Sequence, residues 1–435
     1  MKTSPLAISV ALLAFLLGVF SALTSWLLIP LFFLGVVFVF LFFRKPEFFL
    51  LLLVFLRPTL EAFNDLKFFS IGLLEFNPNW ILAFLIIALG VVHAARNKVD
   101  IFKYSVSLPY LLFIVVCILS LVETPYLNEG VVDILRFLTI FLVLFLVAEF
   151  YKGEKSGLFV ANMVIYSSLL PLLAGLYQLA TGQGRVGFYI TRIYGLSGPV
   201  GHSNFLMVVT VLGIILFMHY QSKWRRLFYG VVVLSSVVSM IYTFTRSTYV
   251  GLAVSLFIIG FFRYRKILAV LVVLFLLVVL NPIFSMRFGV LFGQESGDLS
   301  MELRMSLWSR MRDYILSSPV LGHGVGSFAP SSEKYAGFYM TSHSGFIKIF
   351  SEVGLLGLLL YFWVLLALLK KCYLVYTQSK SLFYRDMALV CFTLLVSNIL
   401  VNLVQNTFSM PVYQLAIWAL FGIMYSTSSG RQHMS

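Results

Sequence analysis

The stretch FLTIFLVLFLVA, residues 137–148, carries no charged side chain. It lies within an apolar run long enough for a bilayer-spanning helix, which needs about 20 mostly apolar residues. The chain has 435 residues, of which 60% are hydrophobic and 11% charged, with a mean hydropathy of +0.98. These values exclude an ordinary soluble domain. The predicted fold is all-α: a polytopic integral membrane protein of about 12–14 transmembrane helices, with residues 1–435 forming a single membrane domain.

Apolar runs recur along the whole chain. They predict about fourteen helices, centred roughly on residues 15, 35, 54, 87, 113, 140, 169, 212, 234, 255, 274, 357, 394 and 418. The first run, residues 1–24, resembles a signal peptide, but a second run follows at once, which favours an uncleaved first helix. The third run is short before Arg57 and Pro58, so a re-entrant segment stays open.

Basic residues mark one side of the predicted spans. If the N-terminus is cytoplasmic, the loops on that side hold Arg44, Lys45, Arg96, Lys98, Lys152, Lys155, Lys223, Arg225, Arg226, Arg263, Arg265, Lys266, Lys370, Lys371, Lys380 and Arg385. Each of these loops is basic, as the positive-inside rule requires. Because much of the formal charge of +14 sits in short loops between spans, topology explains it better than nucleic-acid binding does.

The predicted outer segments carry arginine in preference to lysine. They hold Arg57, Arg185, Arg192, Arg246, Arg287, Arg304, Arg310 and Arg312, against Lys67, Lys334 and Lys348. A guanidinium group binds phosphate oxygens bidentately, which an ammonium group cannot do. This bias predicts an external anionic ligand such as a lipid pyrophosphate. The alternative is that these arginines only pair with acidic residues of the same loop, Glu295, Asp298, Glu302 and Asp313.

The outer segment RIYGLSGPVGHSN, residues 192–204, is the first candidate site. Its glycine and proline residues allow the backbone to turn tightly near a ligand. His202 and Asn204 have side chains that can contact a sugar or a phosphate. Capping of the following helix by Ser203 or Asn204 explains the same residues without a ligand.

Arg246 lies in TFTRST, residues 243–248, between two long apolar runs. An ionisable residue so close to hydrocarbon is a functional candidate. The alternative is that its side chain snorkels to the membrane interface. Its hydroxyl neighbours Thr245, Ser247 and Thr248 favour a polar pocket.

Residues 281–342 form the longest interruption between spans and are predicted to be a large periplasmic loop that contributes to the active site. Within this loop, residues 300–318 have the pattern of an amphipathic helix. Its apolar residues are Leu303, Leu307, Met311 and either Tyr314 or Ile315. Arg304, Trp308 and Arg312 share a neighbouring stripe. Arg304 is the phosphate candidate, whereas Arg310 and Arg312 are interpreted as solvated charges.

Two histidines follow that helix. His323 lies in the glycine-rich run GHGVGSF, residues 322–328, which is not a phosphate-binding P-loop because no Gly-Lys-Ser/Thr follows. His343 lies in TSHSG, residues 341–345, where the next span begins. A neutral imidazole can take a proton from an attacking sugar hydroxyl. A structural or solvated histidine is the alternative.

Two ion pairs are predicted near the outer ends of spans. Lys348 and Glu352 are four residues apart, and Asp133 and Arg136 are three apart, so each pair shares a helix face. His343 and Glu352 are nine residues apart and would lie on opposite faces of one continuous helix. This spacing argues against a histidine–glutamate dyad.

The order of several motifs resembles the O-antigen ligase and O-antigen polymerase superfamily. They are Arg246 at a span boundary, the Arg304-x-x-x-Trp308 helix, PVLGHGVGSF at 319–328, and His343 leading into EVGLLGL at 352–358. The resemblance covers residues 185–370 in motif and the whole chain in topology. It implies a metal-independent, inverting glycosyltransferase without a cofactor, in the bacterial inner membrane, with its site facing the periplasm.

The resemblance also assigns substrates and roles. The donor would be a glycan linked to undecaprenyl pyrophosphate, and the acceptor either lipid A-core or another lipid-linked repeat. Arg246 and Arg304, with Arg192 as a further candidate, would hold the pyrophosphate, and His343 would be the general base. Arginines can replace a metal here because pyrophosphate is already a good leaving group. The large number of spans favours a polymerase over a ligase.

Two other functions remain open from the sequence. A transporter or flippase for the same lipid-linked glycan would place charges along a path inside its spans and often has internal repeats, neither of which the sequence displays. A scaffold without chemistry would not need the arginine bias. The three cysteines, Cys117, Cys372 and Cys391, have no spacing typical of a metal site or a disulfide.

Overall fold

The computed structural model describes residues 28–66, 69–71, 74–187, 190–280 and 299–427. The predicted first span, centred on residue 15, and residues 281–298 of the predicted outer loop lie outside this part of the chain, as do Lys67, Arg287, Glu295 and Asp298. Most of the described residues are helical, and this confirms the all-α polytopic membrane fold.

The described helices are numbered in chain order. They are α1 Leu28–Arg44, α2 Pro46–Leu60, α3 Pro78–Asn97, α4 Ser107–Ser120, α5 Leu127–Phe150, α6 Glu154–Ser167, α7 Leu169–Thr181, α8 Gly198–His219, α9 Lys223–Ile241, α10 Arg246–Phe262, α11 Lys266–Leu280, α12 Leu299–Arg310, α13 Arg312–Ser317, α14 Phe328–Ala336, α15 Gly345–Gln378, α16 Leu382–Val404 and α17 Pro411–Ser426. Every predicted span centre from residue 35 to residue 418 falls inside one of them.

Seven described segments are long and apolar enough to cross a membrane: α3, α5, the continuous pair α6–α7, α8, α9, α15 and α16. Shorter apolar helices lie between them. The third predicted span, α2, has 15 residues and includes both Arg57 and Pro58. At 1.5 Å per residue it is about 22 Å long, shorter than the ~30 Å hydrocarbon core. A re-entrant α2 therefore stays open.

The helices pack around a buried centre. The most extensive contacts join α8 to α9, α5 to α17, α10 to α16 and α15 to α16. In the centre, the Tyr110 ring stacks on Phe141 at 5.1 Å and meets the edge of Trp418 at 4.9 Å. Close packing of this kind stabilises helix contacts in lipid, where apolar burial adds little.

Contacts between the loops sort them into two ends, as the alternation of spans predicts. At one end Arg263 pairs with Asp386 at 3.0 Å, and the Ser381 hydroxyl donates to Glu154 at 2.7 Å. These residues belong to the basic loops assigned to the cytoplasm. At the other end Arg192 donates to the Thr243 carbonyl at 2.7 Å. The two sets of loops therefore occupy opposite ends of the bundle.

The described part of the large loop forms a small hydrophobic core of its own. Leu307, Met311 and Tyr314 pack with Phe328 and Ala336, which confirms these members of the predicted apolar stripe, whereas Leu303 lines the main cavity. The predicted single helix is wrong in one detail, because α12 ends at Arg310 and α13 begins at Arg312.

Two short hairpins interrupt the otherwise helical chain. β1 Phe69–Ile71 pairs with β2 Leu74–Phe76, and β3 Arg185–Gly187 pairs with β4 Ile190–Arg192, both antiparallel. Neither hairpin was expected from the sequence. Strands of three residues are too short to produce a recognisable alternation of polar and apolar side chains.

Candidate functional site

A cavity of about 880 Å³ opens at the end of the bundle that holds the predicted outer segments. Its walls come from the end of α2, the start of α5, the segment before α8, the large loop, the start of α15 and the segment before α17. Its lining residues include Glu61, Glu129, Asp133, Arg136, Arg192, Arg304, Tyr339, Ser342, His343, Lys348, Glu352, Gln405, Asn406 and Ser409. Three of the seven predicted site residues, Arg192, Arg304 and His343, therefore share one cavity.

His343 lies in an unusual backbone conformation at the cavity wall. Its φ is +51°, in the left-handed region that residues other than glycine rarely adopt. Two buried serines hold this turn. The Ser342 hydroxyl donates to the Ser344 carbonyl at 2.7 Å, and the Ser344 hydroxyl donates to the Asn402 carbonyl at 3.1 Å. Such strain persists only where the surroundings enforce it, and it is common at functional sites.

The His343 imidazole is prepared to accept a proton. Burial, with the positive charge of Arg304 nearby, lowers the pKa of His343 to about 4, so the ring is neutral near pH 7. No hydrogen bond joins this ring to another residue in the described part of the chain. A neutral imidazole that faces a cavity has the protonation state that a general base needs.

The two arginines reach the cavity from different elements. Arg304 lies on α12, one turn before Trp308, whose indole N–H donates to the Ser342 carbonyl at 2.7 Å. Arg192 ends β4 and donates to the Thr243 carbonyl at 2.7 Å and to the Thr245 hydroxyl at 3.1 Å. Both guanidinium groups can therefore meet an anion in the same cavity as His343.

Arg246 begins α10 and is not among the residues that line the cavity. It directly follows Thr245, the residue that Arg192 contacts, and it comes two residues after Phe244, whose φ is also +51°. Arg246 is thus next in the chain to a residue that contacts Arg192, but it does not line the cavity.

The remaining three candidates have structural contacts and do not line the cavity. His202 is fully buried, and its Nε2 lies 3.0 Å from the Ser239 hydroxyl. The Asn204 amide donates to Gln405 at 3.0 Å and accepts from Thr248. His323 stacks on the Tyr314 ring at a centroid distance of 4.0 Å. These contacts indicate structural roles for the three residues. Neither Ser203 nor Asn204 caps α8, because the helix begins earlier, at Gly198.

A cluster of charged residues lines the cavity. The sequence predicted its two ion pairs separately but not the contact that joins them. The pairs Arg136–Asp133, at 2.8 Å, and Lys348–Glu352, at 3.9 Å, are confirmed. Lys348 also contacts Asp133, which joins the two pairs across α5 and α15. The spacing within each helix revealed each pair. Nothing in the sequence signals that the two helices face each other.

The glycine-rich loop docks on a break in α15. Gly354 has a φ of +70° and interrupts the helix, and its neighbour Leu355 donates to the Pro319 carbonyl at 2.8 Å. Gly324 donates to the Glu352 carbonyl at 2.8 Å, and Phe328 donates to the Glu352 carboxylate at 3.1 Å. The two glycine-rich motifs thus form one joint, which places the large loop beside the cavity.

Part of the chain matches a known protein family. Residues 231–362 match the family model described as O-Antigen ligase. No curated protein matches the chain. The matched segment contains Arg246, Arg304 and His343, while Arg192 and the walls from α2, α5 and α17 lie outside it. The resemblance to the O-antigen ligase and polymerase superfamily predicted from the sequence is therefore confirmed over residues 231–362.

Proposed function

We propose that this chain is a metal-independent, inverting glycosyltransferase. It takes a glycan from undecaprenyl pyrophosphate and transfers it to a sugar hydroxyl at the periplasmic face of the bacterial inner membrane. One observation carries the proposal: Arg192, Arg304 and His343 come from separate segments of the chain and line one cavity. The family match supports ligase- or polymerase-type activity in general. The donor, the mechanism and the roles of the residues are our proposal.

The reaction is a direct displacement at the anomeric carbon of the donor. The acceptor oxygen forms the new bond to this carbon as the bond from carbon to the pyrophosphate oxygen breaks, and the configuration inverts. The leaving pyrophosphate keeps both electrons of the broken bond. The acceptor hydroxyl proton passes to the neutral imidazole of His343, which burial keeps unprotonated in the free protein.

The arginines supply the electrostatic part of the mechanism. Negative charge grows on the pyrophosphate as its bond breaks, and preorganised cations in a cavity that excludes bulk water stabilise this charge. Arg304 and Arg192 line the cavity, and we include Arg246 because it follows the threonine that Arg192 contacts.

The first experiment is complementation of a deletion strain. Wild-type protein restores long-chain or surface-attached polysaccharide, and His343→Ala inserts normally but yields none. The lipopolysaccharide of the deletion strain distinguishes a polymerase from a ligase. A core with one repeat indicates an O-antigen or exopolysaccharide polymerase. A bare core with accumulated polymer indicates a ligase. We favour the polymerase because of the large number of spans. Restored product with His343→Ala would reject the base assignment.

The sidedness of the cavity has its own test. The three native cysteines are buried, so a single introduced cysteine reports its own exposure. Tyr339→Cys places a thiol at an exposed position on the cavity rim, and Trp224→Cys places one at an exposed position on the opposite end. In intact cells whose outer membrane has been permeabilised, a membrane-impermeant maleimide should label only the first. Labelling of Trp224→Cys alone would reverse the predicted orientation.

The alternative function, a transporter or flippase, predicts a different result for purified protein. A flippase would move the lipid-linked glycan without forming a bond, so purified protein with donor and acceptor would give no new glycosidic product. The arginines of this chain that line the cavity belong to one end of the bundle, which favours a reaction site over a path.

A further inference from the structure

A small chamber adjoins the main cavity at the outer ends of α2 and α3. Its volume is about 80 Å³, and it shares Glu61, Val132, Arg136 and Pro411 with the walls of the cavity. The chamber and the cavity are therefore adjacent to each other. The other chamber residues are Arg57, Asn64, Asn77, Asn79, Trp80, Leu82, Ala83, Leu135, Thr139 and Leu415.

Three asparagines contribute neutral amide groups to this chamber. The Asn77 side chain caps α3 by accepting from the backbone N–H groups of Asn79 and Trp80, and its amide group donates to Asn64 at 3.0 Å. The Asn79 amide group donates to the Glu61 carboxylate at 3.2 Å and to Asn64 at 2.9 Å. The carboxylate fixes the orientation of the Asn79 amide, because the reverse orientation would set two acceptors against each other.

The charges of the chamber are already matched. Arg57 pairs with Glu61, and Arg136 pairs with Asp133 at 2.8 Å. An anion would therefore compete with carboxylates here. This arrangement favours a neutral polar ligand over a phosphate.

One amide acceptor has no hydrogen bond to a described residue. Asn79 Oδ1 is buried at this wall and has no hydrogen-bond partner within the described part of the chain. A buried amide oxygen without a partner costs about 1–3 kcal/mol, and a side-chain shift that brings this oxygen to a ligand hydroxyl in the chamber would remove this cost. Next to it, the Trp80 ring lies 5.9 Å from Phe84 and lines the chamber with an aromatic surface.

From these contacts we propose that the chamber is a carbohydrate subsite, which binds one edge of a single sugar residue of the glycan while the rest lies in the main cavity. Sugars combine hydroxyl donors and acceptors, suited to asparagine amides, with C–H faces that pack on aromatic rings. The chamber, at about 80 Å³, is much smaller than the main cavity of about 880 Å³, which suits one part of a glycan rather than the whole. The inference rests on the proposed function only in that a glycan occupies the cavity.

The test is binding of the oligosaccharide that mild acid releases from the lipid-linked donor of the producing strain. It compares Asn79→Ala and Trp80→Ala with Asn97→Ala, a matched control at the other end of α3, whose amide contacts His93. We expect binding to weaken about tenfold, as the loss of ~1.4 kcal/mol gives, in both chamber variants. The control should bind like wild type. Undecaprenyl pyrophosphate without sugar should bind all four proteins equally.

A further variant covers the case in which the polar substitutions disturb folding. Ala83→Leu fills the chamber without removing a polar group and should also weaken oligosaccharide binding. Equal oligosaccharide binding by every chamber variant that elutes as folded protein would overturn the subsite. Because the assay needs no transfer, it is separate from the proposed function: weakened binding together with full transfer by His343→Ala would retain the subsite and reject the base.

Discussion

Trp308 donates its indole N–H to the carbonyl oxygen of Ser342 at 2.7 Å, and so fixes the backbone immediately before His343. Trp308 lies one helical turn beyond Arg304 on α12. One helix therefore carries a cavity arginine and also holds the turn that presents the imidazole. This contact couples the position of the proposed base to the docking of the large loop.

Replacing Trp308 with phenylalanine removes that hydrogen bond and keeps an aromatic ring. Loss of this hydrogen bond removes about 1 kcal/mol of the free energy that positions His343, which should lower kcat about fivefold. The KM for the donor should stay nearly unchanged, because His343 would act only on the acceptor proton. Steady-state kinetics on purified protein provides the measurement. Trp224→Phe, at an exposed position on the opposite end, is the matched control. A change confined to KM would count against a positioning role.

The pH dependence of the reaction should report the lowered pKa of His343. Only the neutral imidazole accepts a proton, and its fraction rises as pH rises through the pKa of about 4. The value of kcat/KM should therefore increase through about pH 4 and be level towards neutrality. Pyrophosphate binding offsets the charge of Arg304, so the acid limb of kcat should lie at higher pH than that of kcat/KM.

A single variant checks the cause of that shift. Arg304→Gln removes the neighbouring charge and should move the acid limb of kcat/KM upwards in the residual activity. If this limb instead lies at the ordinary histidine value of 6.5 in the wild type, His343 is not the buried neutral base described above.

Arg304→Lys keeps the positive charge but loses the bidentate fork. Removal of one preorganised donor from a developing oxyanion typically lowers kcat by about 10²–10³, and we expect a loss towards the lower end of this range. Arg312→Lys, at an exposed position on α13, should behave like wild type. Rates measured with purified donor and acceptor make the comparison. Equal rates for both variants would remove Arg304 from the pyrophosphate site.

The break in α15 should tolerate no side chain. Alanine at Gly354 must adopt a φ of +70°, and its Cβ would overlap the Val320 carbonyl. We expect thermal destabilisation in detergent well beyond the ~1–2 kcal/mol that the left-handed conformation alone costs. Gly337→Ala isolates that smaller cost, since its φ is +85° and its Cβ would meet no described atom within 4 Å. Similar melting temperatures for the two variants would contradict close docking at the joint.

The sequence predicted the helices well because each one is a local apolar run. Every predicted span centre from residue 35 onwards lies in a helix, and the apolar stripe through Leu307 and Met311 faces a core as its spacing requires. The order of Arg304, Trp308 and His343 was also visible. The sequence did not show how these residues contact each other, because the hydrogen bond from Trp308 to Ser342 joins residues 34 positions apart.

Contacts between helices that are far apart along the chain could not be predicted from the sequence. Lys348 meets Asp133 across 215 positions, and the Asn204 amide meets Gln405 across 201. Polar residues such as Gln405 sit in short segments without any motif, so no local signal marks them as cavity walls. Asn79 was missed for the same reason, since its site depends on α2, α5 and α17 meeting α3.

The most direct test is transfer by the purified protein in lipid nanodiscs, supplied with the lipid-linked donor and an acceptor glycan, with chelator present. We predict that the wild type forms a new glycosidic bond of inverted configuration, and that His343→Ala forms this product about 10²–10⁴-fold more slowly, as the loss of a general base predicts. Transfer by His343→Ala at the wild-type rate, or no transfer by active wild-type preparations, would contradict the account.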